Sequence, residues 1–137
     1  MTIKPTAQEA LVYTMVTMSA VDRIITDDEL RKIGAIVNQL PVFRGFDVDH
    51  LVKTAEQCGN ILSEDDGLDA ILGTIAGALP KKLHETAYAL AVEVAAADRI
   101  VVNEEIRFLE LLRDQLGLDP LVTAAIERGA RARHQVA

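Results

Sequence analysis

Apolar residues recur along this chain in steps of three and four, and helix-breaking residues fall between such stretches, a pattern that predicts helices and very few strands. Residues 6–20 form the first predicted helix, with Ala7, Leu11, Met15 and Met18 on one face. After a turn over residues 21–26, Thr26-Asp27-Asp28-Glu29 opens a second helix as a capping box. The threonine hydroxyl and the glutamate carboxylate each satisfy a first-turn amide that has no partner within the helix. Leu30, Ile33, Val37 and Leu40 make its apolar stripe, and Pro41 ends it. Phe43 and Phe46 are expected to pack back onto the bundle, and Asp47 to cap a third helix.

That helix carries Leu51, Val52, Ala55 and Leu62 inward, with Gly59-Asn60 weakening its last turn. Ser63 is expected to cap the fourth, in which Leu68, Ile71, Leu72, Ile75 and Leu79 alternate with Gly67, Gly73 and Gly77, read as points of close helix approach. The fifth, residues 81–97, is rich in alanine and nearly apolar all round from Tyr88 onward, which predicts the central helix of the bundle. The sixth, residues 103–116, turns Ile106, Leu109, Leu112 and Leu116 inward and stops at Gly117. Asp119-Pro120 opens a seventh. The expectation is an all-α fold of about seven helices in a compact bundle, one domain over residues 1–137.

Self-comparison adds an internal repeat. Asp22-Arg23-Ile24-Ile25-Thr26-Asp27-Asp28-Glu29-Leu30-Arg31 aligns with Asp98-Arg99-Ile100-Val101-Val102-Asn103-Glu104-Glu105-Ile106-Arg107 at a constant offset of 76 residues. The apolar stripes beyond stay in register, Ile33 with Leu109 and Leu40 with Leu116, which predicts a duplicated helix-turn-helix unit over about residues 6–40 and 82–116.

An alanine-rich helix, Ala-Asp, a short turn with an aliphatic residue, and a glutamate seven places after the aspartate together resemble the tellurite-resistance TerB family. Ala97-Asp98-Arg99-Ile100 through Glu105 is the better copy and Val21-Asp22-Arg23-Ile24 through Glu29 the weaker. The resemblance covers most of the chain and implies a part in tellurite and chemical-stress responses. The family usually has glycine after the aspartate, where this chain has Arg23 and Arg99, so a different turn or some strain is expected. A related helical domain beside J-domains also implies a co-chaperone-like possibility.

Asp22 and Asp98 fall at predicted helix C-termini, where a carboxylate opposes the helix dipole, and each could face the first turn of the next helix near Glu29 or Glu105. Carboxylates held together favour a bound cation or a shared proton, so Asp22, Glu29, Asp98 and Glu105 are the candidate metal ligands. An all-oxygen set selects Ca2+ or Mg2+ over Zn2+. The spacing is not that of an EF-hand, because Ile24 and Ile100, then Ile33 and Leu109, occupy ligand positions of such a loop. The alternative is purely structural: the aspartates accept turn amides and the glutamates complete helix caps. The cluster at Asp65, Asp66 and Asp69 reads as capping and dipole compensation. Glu93, within an apolar face, is turned to solvent, paired with an arginine, or a further ligand.

Composition narrows the task. Half of the 137 residues are apolar, enough to bury a core without disulfide or structural metal. The single cysteine, Cys58, reads as a small buried apolar residue and suits a reducing compartment. A net charge of −7 repels phosphate backbones, arguing against nucleic acid; the C-terminal Arg128, Arg131 and Arg133 either complement the last helix dipole, the favoured reading, or dock on anions. Glu93 and Asp98 interrupt the longest apolar run, so no membrane-crossing segment is expected. The chain reads as cytoplasmic, with other proteins as its partners and its oligomeric state open. His50 and His84 read as surface polar residues and His134 as part of a frayed tail. No nucleophile motif, phosphate loop, dinucleotide fingerprint or zinc signature appears, and Ser19 and Ser63 have helix-end explanations. The sequence therefore predicts a non-catalytic acidic module that binds a divalent cation, or a metal-free interaction scaffold.

Overall fold

Local caps and breakers set where the helices start and stop. In the computed structural model, which describes residues 4–20, 24–97 and 102–137, seven helices follow in order: α1 (Ala7–Ser19), α2 (Asp27–Gln39), α3 (Leu51–Leu62), α4 (Gly67–Ala78), α5 (His84–Ala97), α6 (Asn103–Leu116) and α7 (Pro120–Arg133). Short 3-10 turns stand at Pro41–Phe43, Val48–His50 and Lys81–Leu83, and there is no strand among the described residues. The Thr26 capping box forms as its residues predict, and a second box opens α1, where Thr6 Oγ1 accepts from Glu9 N at 3.1 Å and Glu9 Oε1 from Thr6 N at 2.9 Å. Gly117 ends α6 in the left-handed region at φ 63°, and Asp119 accepts from Leu121 N at 2.8 Å to start α7. Ser63 departs from expectation: it closes α3, its hydroxyl donating to Asn60 O at 2.8 Å, and the fourth helix begins only at Gly67.

Two helices, not one, occupy the centre. α5 is buried at Ala87, Tyr88, Leu90, Ala91, Val92 and Ala95, as its alanine-rich run predicts. α1 is buried at every position from 10 to 18, whereas the sequence pattern had given it one apolar face. Thr14 can be enclosed there because its hydroxyl donates to Ala10 O at 2.9 Å, and Thr17 Oγ1 lies 3.5 Å from Cys58 Sγ. α1 packs on α5, α3 and α4, while α7 packs on the other flank of α5. One cluster of buried apolar side chains runs from α1 to α7. Tyr88 ties α7 down, donating to Glu127 Oε2 at 2.9 Å.

Several inward assignments are displaced by about one residue. α6 buries Glu105, Phe108, Leu112 and Leu116, and leaves Ile106 exposed and Leu109 half-buried. Packing against both α4 and α5 turns Phe108 into the core. α3 buries Leu51, Thr54, Ala55 and Cys58, leaving Val52 exposed; Leu40, at the end of α2, is exposed as well. Of the α4 glycines, only Gly67 marks a close approach, since a Cβ there would sit 2.2 Å from Leu62 O. Gly73 and Gly77 face open space and are exposed, contrary to the expected close packing.

Candidate functional site

Two glutamates at aligned positions, Glu29 and Glu105, line one cavity. Glu29 and Lys32 of α2, Glu105 of α6, Ser19 at the end of α1 and Ala97 at the end of α5 line a cavity of about 150 Å3, with Ile33, Ile36 and Val94 as its apolar wall. α2 and α6 begin at Asp27 and Asn103, the same 76-residue offset that aligns the copies. Their first turns therefore deliver the two matched glutamates to a common site, although α1 and α5 rather than α2 and α6 make the central contact.

Each glutamate is fixed from its own helix start. Glu29 Oε1 accepts from Thr26 N and from Thr26 Oγ1, both at 3.0 Å, and Glu29 N donates back to Thr26 Oγ1 at 3.1 Å. In the second copy valine replaces threonine, and a valine side chain has no oxygen to offer. Only the glutamate half of the box remains there, with Val102 N donating to Glu105 Oε1 at 3.2 Å. Glu105 is the more enclosed of the pair, 9% exposed against a half-buried Glu29. Lys32 brings a positive charge to the margin, its Nζ 3.6 Å from Asp28 Oδ2.

Of the four candidate ligands, the structure brings Glu29 and Glu105 to one cavity. Asp22 and Asp98, with Arg23 and Arg99 of the same turns, lie outside the described residues. Among the described residues no group of three or more histidine, cysteine, aspartate or glutamate side chains is placed to hold a metal ion. The cavity lining includes no imidazole or thiol among the described residues, so its chemistry is that of carboxylate, hydroxyl and ammonium.

Other acidic groups find partners within the fold. Glu93 is paired at the C-terminus: Arg133 Nη2 donates to Oε2, and His134 Nε2 lies 2.9 Å from Oε1. His134 is accordingly the C-cap of α7 bonded to α5, not a frayed end. Burial pushes the Glu93 carboxyl up, but bonds and charge from Arg133 and His134 outweigh it and hold the group below its ordinary value. Glu9 is likewise lowered: burial acts upward, and the Thr6 amide and His50, 2.9 Å away, prevail. His50 thus bonds to α1 instead of standing alone at the surface. Cys58 is fully buried, which pushes its thiol up to about 12. Asp66 precedes α4 without a side-chain cap bond, so the capping expected of that residue does not form.

The model of the family described as tellurite resistance protein TerB matches residues 8–128, from the first turn of α1 into the middle of α7. The chain belongs to the TerB family. Both glutamates, and the aspartates seven places before them, fall inside the TerB match. Comparisons with curated proteins and with solved structures gave no match.

Proposed function

We propose that this TerB-family chain is a non-catalytic acidic module that takes up a divalent cation in the cavity lined by Glu29 and Glu105. One observation carries the reading: matched glutamates far apart in sequence line the same small cavity. Carboxylates held in partly apolar surroundings raise each other's proton affinity, and a cation between them relieves that repulsion. Oxygen donors suit Ca2+ or Mg2+. Asp22 and Asp98 complete the proposed ligand set, and Asp98 is bonded in the chain to Ala97, itself a lining residue. Family membership supports a task in tellurite and related chemical stress; a cytoplasmic setting and protein partners are part of the same proposal.

A second reading is a metal-free scaffold, co-chaperone-like in use. It is favoured by the cap bonds, in which Oε1 of both glutamates is engaged by the helix start. Calorimetric titration of chelator-stripped protein with Ca2+, Mg2+ and Mn2+ separates the two. Saturable heat is expected, lost in the Glu29→Gln plus Glu105→Gln variant, whose amide oxygens still accept the cap bonds, and lost in Asp22→Asn plus Asp98→Asn. No heat at millimolar cation would overturn the metal reading and leave the scaffold.

A further inference from the structure

A long apolar groove lies away from that cavity, on the face formed by α2 and α3. Both helices lean on α1, and they line the groove together: Asp27 and Leu30 with Glu56 and Asn60 in one part, Gly34 and Asn38 with Val48 and Leu51 in the other. At Gly34 an added Cβ would make ordinary contact with the Leu51 side chain, 3.5 Å away. The space along them forms two adjoining hollows of about 430 and 460 Å3 that share Asp27, Leu30 and Val52, with Gly34 and Leu51 in the lining of the second. Val16 and Ala20 of α1 line the first. Apolar side chains stand open along this face: Ile24 is 90% exposed, Val52 53% and Val48 39%.

We infer that this groove receives an amphipathic, basic helix of another protein. An α-helical wall from Asp27 to Asn38 is about 17 Å long, enough for about three turns of a docked helix whose anchors recur every three or four residues. The charge of the rim selects the partner's sign. Asp27 and Glu56 line the groove, while the basic residue among the described lining, Arg31, has its guanidinium 3.2 Å from Asp28. Next in sequence to lining residues stand exposed Asp47 and Asp49 around Val48 and Glu64, Asp65 and Asp66 after Leu62, against exposed Lys53 after Val52, so acids predominate. A helix carrying lysine or arginine beside its apolar stripe meets that pattern with opposite charge, which orients docking and speeds encounter.

A second copy of this chain fits less well. The element richest in cations, α7, offers Leu121 as the large exposed hydrophobic on its outer face, and the start of α6 sets exposed Val102 and Ile106 beside Glu104 and Arg107, the latter 3.4 Å from Glu110. Neither supplies a basic stripe with several anchors.

The probe is a displayed library of helix-forming peptides of about 14 residues, with apolar residues fixed at helical spacing and the remaining positions randomised. Selection on the full chain should enrich lysine and arginine at the flanking positions. Binding of the selected peptides should weaken at least tenfold with Val52→Asp and several-fold with Glu56→Arg, both exposed changes that leave the helical spectrum intact. Amide resonances of Leu30, Val48, Val52 and Glu56 should move on peptide addition. Enrichment of neutral or acidic helices, binding indifferent to both variants, or no enrichment would overturn the inference. So would concentration-dependent dimerisation abolished by Val52→Asp, which would assign the groove to a second copy. Cation titration reads a different cavity, so either result there leaves this test standing.

Discussion

At Thr26 and Val102 the same backbone conformation meets two side chains of nearly equal shape, one able to accept an amide hydrogen and the other not. The difference makes a direct prediction. Val102→Thr supplies the missing oxygen to α6 at a site already 42% exposed, so little apolar burial is lost. The variant should gain about 1 kcal/mol in urea unfolding, and Thr26→Ala should lose a similar amount. Glu93 gives a second test, set by acid. Its carboxyl is held below the ordinary value in the folded chain, so its contribution is complete above the ordinary carboxylate range and fades as pH falls through the lowered value. Glu93→Gln should cost about 0.5 to 1 kcal/mol near neutrality, as partly exposed pairs do, and match the parent at low pH. Stability measured across pH checks both limbs. The sequence left Glu93 among three alternatives because Arg133 and His134 reach it only when α7 lies against α5.

At the scale of elements, the glycines of α4 separate two roles that a sequence reading merged. Gly67→Ala drives a Cβ into the Leu62 carbonyl and should destabilise by several kcal/mol or shift the α3–α4 corner. Gly73→Ala and Gly77→Ala place a methyl in open space within a helix and should each stabilise by about 0.5 to 1 kcal/mol. Thermal unfolding of the three variants is a sufficient check. α1 shows the same limit of local reading from the other side. It has no charged residue between Glu9 and Asp22, a signal of enclosure all round that its neat one-face spacing concealed.

For the whole molecule, the central α1–α5 contact joins both aligned segments in one cluster of buried side chains. Tyr13 lies on α1 and Tyr88 on α5, both buried, and the chain has no tryptophan. Tyrosine fluorescence and far-ultraviolet dichroism should therefore report one coincident urea transition. Two separated transitions would mean that the segments hold together independently. Cys58, fully buried with its thiol raised to about 12, should resist alkylation until that same transition.

Most helix boundaries belong to the sequence, the α3–α4 corner at Ser63 excepted, because caps, prolines and Gly117 act through bonds that span three or four residues. The all-helical class was legible for the same reason. Tertiary packing decided the rest. It set α1 beside α5 in the centre, turned Phe108 inward in place of Ile106, and opened a groove beside Val52. It also delivered Glu29 and Glu105 to one cavity. Local periodicity records that a helix has an apolar face, but the neighbour it meets and the angle of that meeting follow from how all seven helices fill space together.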